Sequence, residues 1–174
     1  MNLNTNLGNK RSIKLLTTMA MLCSLAVVGR LAFTFIPNVQ PTTAIILLSA
    51  LSLGAIPGIM IAIVSTLVTN FILGTGIWTL WQVVSWSMIA LITGLFKNFH
   101  QRLPVFVLSL YAGLCGLIYG FIISIPMSRF VGNFWGYYLA GLPFDISHSI
   151  GNIVFFSIFY PIYFKIFKNQ FKTF

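Results

Sequence analysis

The chain has 174 residues, 58% of them hydrophobic and only 6% charged, with a formal net charge of +9. Soluble domains carry about 25% charged residues, so this composition excludes an ordinary aqueous globule and points to lipid as the solvent. The basic residues sit at the ends of apolar runs and form no single patch, which excludes a nucleic-acid surface and fits topology determinants.

Six apolar stretches are predicted in chain order. The first covers 13–35 and ends before Pro37, with residues 1–12 as a flexible cytoplasmic tail. Lys10, Arg11 and Lys14 ahead of Leu15 imitate a signal peptide, but the apolar run is longer than a usual signal core, and a retained helix is expected. The second covers 41–55, opened by Pro41 in a first-turn position. The third covers 57–73, after the Pro57-Gly58 break, and Gly74-Thr75-Gly76 makes the next turn. The fourth covers 78–96, the fifth 104–125, and the sixth 144–167, with 127–143 as a long connection rich in Gly and aromatics. The expected fold is an all-α membrane protein, a single six-helix domain over 1–174 with six transmembrane helices.

Lys and Arg placement orients it. With the N-terminus inside, the inner regions hold Lys10, Arg11, Lys14, Lys97, Arg102, Lys165, Lys168 and Lys172, and the outer ones only Arg30 and Arg129. Both termini are therefore expected to be cytoplasmic in a multi-pass protein of the cell membrane. Asp145 is the only carboxylate side chain, Cys23 and Cys115 lie inside apolar runs, and no metal-ligand spacing is present.

Asp145, His148, Ser149 and Asn152 fall at i, i+3, i+4 and i+7, on one helical face. An ionised Asp at a helix centre costs about 2.5–3.5 kcal/mol on insertion scales, so this stripe should face a bundle interior or a wet cavity. It reads either as part of a pocket or as an inter-helix hydrogen-bond network without a ligand. Trp78, Gln82, Ser85 and Trp86 share another face, with Trp81 beside it. Three Trp in nine residues suit an interfacial aromatic belt, while the interleaved Gln and Ser suit the wall of a pocket for a flat organic molecule. The first loop offers Asn38 and Gln40 between Pro37 and Pro41, and the fifth offers Arg129, Asn133, Trp135, Tyr137 and Tyr138. Arg30 lies about one turn below the first loop and is placed to pair with Asp145, each offsetting the burial cost of the other. These groups gather at one end of the spans, as capture of an external solute requires.

Arg30-Leu31-Ala32-Phe33, then Ile36-Pro37-Asn38-Val39-Gln40-Pro41-Thr42-Thr43-Ala44, together with Asn70-Phe71 and Gly74-Thr75-Gly76-Ile77-Trp78-Thr79-Leu80-Trp81-Gln82, resemble the substrate-binding S components of energy-coupling-factor vitamin transporters. The pair of motifs looks like the cobalamin subgroup. The resemblance covers nearly the whole chain and implies a non-enzymatic vitamin-binding subunit, cobalamin being the transported substrate and no cofactor being needed. It implies as partners a membrane scaffold protein and two cytoplasmic ATPases. The family's Ala-x-x-x-Ala scaffold motif has its nearest match in Ala20 to Ser24, with Ser in the second place. Ordinary intramolecular packing explains such a pair equally well, as it does Gly54, Gly58, Gly113, Gly116 and Gly120. The chain has no phosphate-binding Gly-rich loop and no acidic relay, so the energy for uptake must come from those partners. Within the resemblance, His148 is expected to hydrogen-bond in its helix stripe rather than ligate cobalt. The competing readings are an S component for another vitamin or heterocycle, a ligand-free assembly subunit, and an intramembrane enzyme; the last is disfavoured by the single carboxylate and the separated His residues.

Overall fold

The computed structural model describes the backbone of residues 3–167 and the side chains of 10–166; the sequence-assigned topology residues Lys168 and Lys172 lie outside that range. Among the described residues there are six α-helices and no strand: α1 Leu3–Ala32, α2 Thr42–Leu53, α3 Ala55–Leu73, α4 Ile77–Leu95, α5 Val105–Met127 and α6 Phe134–Phe167. Short 3-10 turns at His100–Arg102 and Ser128–Phe130 lie in the connections before and after α5.

Five of these helices are long and apolar enough to cross a membrane; α2, at 12 residues, is not. They turn large apolar side chains outward, with Phe71 85%, Leu95 77% and Phe106 71% exposed. Water would not tolerate such a surface on a monomer, and a bilayer does. α2 is the opposite case. Every residue from Thr42 to Leu53 is buried, because α1, α3, α4, α5 and α6 all pack around it. A helix of 12 residues is about 18 Å long. Short of the roughly 30 Å hydrocarbon layer, it is accommodated because protein rather than lipid surrounds it.

Three expected boundaries need correction. Pro57 and Gly58, expected to mark the break before the third stretch, lie inside α3, and the break falls at Gly54, φ 110°. The residues assigned to a tail are helical from Leu3 and run directly into α1. The long connection 127–143 is helical from Phe134, and α6 runs through Pro143 without ending. Asn133 explains the start: its side-chain oxygen accepts the backbone N–H of Gly136 at 3.1 Å, an N-cap bond. Gly132, at φ 75°, makes the preceding turn.

The glycines of α5 form the seam with α6. A Cβ on Gly113 would meet Ile153, one on Gly116 would meet Ser149 and Asn152, and one on Gly120 would fall on the carboxyl group of Asp145. The small-residue stripe of α5 is therefore spent on intramolecular packing, as is Gly58 against Ala50.

Candidate functional site

The chain loops at 33–41, 74–76 and 128–133 lie at one end of the bundle. α2 begins deep beneath that end. Thr42 Oγ1 donates to the carbonyl of Ala26, and Pro41 packs where a Cβ on Gly29 would stand. Ala26 is six residues, or about 9 Å, back from the end of α1. The first loop therefore dips into the bundle and leaves a hollow of about 150 Å³ lined by Arg30, Phe33, Asn38, Gln40, Leu73 and Gln82.

Arg30 supplies the charge of this hollow. Its Nη1 donates to Thr69 Oγ1 at 3.0 Å, and its guanidinium stands over the Trp86 ring, 5.4 Å from the centroid. It does not pair with Asp145, contrary to the sequence expectation. The Asp145 carboxyl is turned to Gly120, buried, and its Oδ2 has no hydrogen-bond partner among the described residues. The absence of a Cβ at Gly120 lets α6 settle so close to α5 that Asp145 is held in the seam. Arg30 keeps N–H donors available for a ligand acceptor.

Beneath the hollow lies a hydrogen-bonded string. Trp86 Nε1–H donates to Thr43 Oγ1 at 2.9 Å, and Thr43 Oγ1 lies 3.0 Å from His148 Nε2. His148 Nδ1 lies 2.9 Å from the carbonyl of Asn38. A carbonyl only accepts, so Nδ1 carries the proton, and in the neutral ring Nε2 accepts from the Thr43 hydroxyl. His148 thus bonds to α2 and the first loop, not within its own stripe, and both ring nitrogens are engaged. Trp86, Thr43 and His148 are each fully buried. Rings reinforce the string: Trp86 stacks on Tyr119 at 4.5 Å, and Tyr119 lies 5.2 Å from His148. The Asn38 side chain adds a bond to the carbonyl of Phe144 at 3.2 Å, and its backbone takes the left-handed conformation, φ 61°, that Asn tolerates better than most residues.

Gln82 is held from the side. Asn70 Nδ2 donates to Gln82 Oε1 at 2.6 Å and to Thr79 Oγ1 at 2.8 Å. The Gln82 amide is thereby oriented, with the Tyr119 hydroxyl as a second partner.

The structure thus brings Arg30, Asn38, Gln40 and Gln82 around one hollow, with Trp86 and His148 in the layer beneath it. Trp78 is 46% exposed at the start of α4, with its ring over Gly76, and Trp81 is half-buried. The fifth-loop group stands apart. Arg129 is exposed, Asn133 caps α6, and Trp135 and Tyr138 join Phe134 and Phe121 in an aromatic cluster between α5 and α6. Asn152 is fully buried near Gly116, and neither amide atom has a partner among the described residues. Thr43, Thr69 and Tyr119 escaped the sequence reading. Their signal was polar groups within runs too apolar to hold them at a lipid face, which marks a buried bundle surface.

On the side of the bundle, Ala20 and Ser24 are exposed and line an apolar groove of about 530 Å³ between α1 and α3. Together these features define a helical membrane protein with a recessed, basic, amide-lined hollow at one end and an open lateral groove. The family model for the ECF transporter substrate-specific component matches residues 14–172, and the chain belongs to that family. Comparison with curated proteins and with solved structures gives no match. Membership makes this chain the substrate-binding subunit of an energy-coupling-factor transporter, not an enzyme, and makes an ECF scaffold and ATPase modules its partners.

Proposed function

We propose that this subunit binds a vitamin, cobalamin, for ATP-driven import through a scaffold protein and two cytoplasmic ATPases. The observation that carries the reading is the recessed hollow. Arg30 meets it with free donors and no carboxylate partner, and Asn38, Gln40 and Gln82 add amides. Cobalamin carries carboxamides around a broad apolar corrin, together with a phosphodiester. Arg30 suits the phosphate and the amides suit the carboxamides.

The hollow, at about 150 Å³, is smaller than the ~300–1,000 Å³ of sites that engulf a drug-sized ligand. In this reading it is the floor of the site. The corrin lies across the rim, where Trp78 and Trp81 offer ring faces, and the loops at 33–41 and 128–133 part to admit it. Arg129, Asn133, Trp135 and Tyr138 join the site only on such a movement, while Asp145, His148 and Asn152 support it from within. The same volume favours a second reading, a smaller vitamin with an anionic arm seated on Arg30.

The topology that goes with this function has six crossings and both termini in the cytoplasm, so that the hollow opens outward. Sheathing of α2 by protein supports counting it as a crossing despite its length. The groove at Ala20 and Ser24 is the proposed scaffold contact. Ala20→Trp and Ser24→Trp should abolish uptake by the assembled transporter yet leave ligand binding by the isolated subunit unchanged.

Titration of the purified chain with cobalamin, read by the corrin spectrum of the bound fraction, tests the substrate. Saturable one-to-one binding is expected. Binding of a smaller vitamin that cobalamin does not displace would transfer the site to the second reading, and no saturable ligand at all would end both.

A further inference from the structure

The end of the bundle opposite the hollow carries a second cavity. Its volume is about 480 Å³, and its lining is polar: Ser52, Lys97, Asn98, His100 and Gln101, closed by Leu51 and Phe164. Lys97 is half-buried, and its Nζ donates to the carbonyl of Leu53, the last residue of α2, at 3.2 Å. No carboxylate side chain balances this lysine, since the only one in the chain, Asp145, lies in the seam toward the other end.

His100 is the less ordinary member. It is 2% exposed, and its ring is held between Tyr160 and Phe164. Nδ1 lies 2.7 Å from the carbonyl of Lys97 and so donates to it, while Nε2 is buried with no partner among the described residues. Burial holds the imidazole below its ordinary pKa, so Nε2 presents a lone pair near neutral pH. A buried acceptor without a donor is costly, and a ligand donor would relieve it.

The cavity has an apolar neighbour. A groove of about 330 Å³ runs between α1, α2 and α6, lined by Met21, Leu25, Leu48, Phe159 and Tyr163 among others. A hydrogen bond of 3.0 Å joins Tyr163 of the groove to Ser52 of the polar cavity. A cation, a buried acceptor and an adjoining apolar channel together match an amphiphile with an anion, a nearby donor and a hydrocarbon chain.

We propose that cavity and groove hold one anionic phospholipid of the phosphatidylglycerol type. Its phosphate sits on Lys97, a headgroup hydroxyl donates to His100 Nε2, and an acyl chain lies along the groove. The site is independent of the vitamin hollow and would tie the inner end of α2, α6 and the α4–α5 connection to one lipid.

Native mass spectrometry of the full chain in detergent, offered phosphatidylglycerol and phosphatidylcholine of equal chain length, tests this. One phosphatidylglycerol adduct is expected, preferred by about tenfold, the scale of one charge-assisted hydrogen bond. Lys97→Ala should remove the preference and Lys97→Arg retain it, while His100→Phe should reduce it. Met21→Trp, which fills the groove from an exposed position, should weaken both lipids and leave the preference intact. Equal retention of the two lipids by the natural chain, or a preference that survives both Lys97→Ala and His100→Phe, overturns the proposal. A third arm with inorganic phosphate separates the sources: a saturable phosphate adduct without lipid preference would make this a free-phosphate site and end the lipid assignment.

Discussion

α1 and α2 are successive apolar helices with opposite surroundings. α2 is buried at every residue, whereas α1 exposes Leu16, Ala20, Met21, Ser24 and Val28. α2 is the more apolar of the two, yet it is the one that protein surrounds, so hydrophobicity does not tell a helix facing protein from one facing lipid. What separates them is where the hydroxyls bond: Thr17 and Thr18 of α1 turn back to carbonyls of their own helix. α2 carries Thr42, Thr43, Ser49 and Ser52, and Thr43 and Ser52 make cross-helix bonds that lipid cannot supply. α2 is thus the hub of the bundle, and α1 offers a face that another membrane helix can cover.

The largest effects should come from damaging that hub. Ile46→Ala opens a cavity at a fully buried position and should cost about 2–5 kcal/mol, whereas Leu16→Ala on α1 should change stability by less than about 0.5 kcal/mol. Thr43→Val removes the group shared by Trp86 and His148 and leaves two buried nitrogens unpaired, a loss of about 2–6 kcal/mol at 1–3 per group. Denaturant titration in mixed micelles measures all three. If Leu16→Ala were as harmful as Ile46→Ala, the distinction between the helices would fall.

The α5–α6 seam should give effects of intermediate size. Gly120→Ala places a methyl on the Asp145 carboxyl and should cost about 1–3 kcal/mol, and the double change with Asp145→Ala should recover much of it. Asp145→Asn should be neutral or stabilising, because the carboxyl Oδ2 has no partner to lose among the described residues. A double-mutant cycle with no coupling would remove Gly120 from its assigned role. For the hollow, Arg30→Gln should reduce ligand affinity by about tenfold or more, as loss of a charged hydrogen bond would, while the chain stays folded. Ligand titration checks this, and unchanged affinity would detach Arg30 from the site.

Much of this was legible in the residues. Spacing alone put Asp145, His148 and Asn152 on one face, and all three are buried there. Proline and glycine put the ends of α2 and α3 and the start of α4 within two residues, although Pro57 and Gly58, expected as a break, lie inside α3 and Gly54 makes the turn. The failures have physical causes. Asn133 was weighed as a ligand amide although Asn ahead of an aromatic run is also an N-cap, and that choice hid ten residues of α6. Charge counting suggested Arg30 with Asp145, but counting carries no distances. The glycine row of α5 decides where the carboxyl points, and Thr69 and Trp86 hold the guanidinium instead. The depth of the first loop depends on Pro41 nesting against Gly29, a contact between helices that no local pattern announces.

The smallest predicted effect probes how completely α2 is closed at its far end. Lys97 seals the last carbonyl of α2, and His100 is buried beside it, its pKa lowered first by burial and also by the Lys97 charge. A lowered value in the folded chain means the unfolded chain binds the proton first. Stability should therefore be intact above the ordinary histidine value near 6.5 and should fall as the pH drops from there toward the lower folded value. The informative quantity is the difference between the natural chain and His100→Gln, in which the contribution of every other titrating group cancels. That difference should shrink or reverse on acidification, because only the natural chain must protonate a buried ring at this position. A difference that stays flat across the range would mean that water already reaches His100, and that the protein sheath around α2 stops short of its last turn.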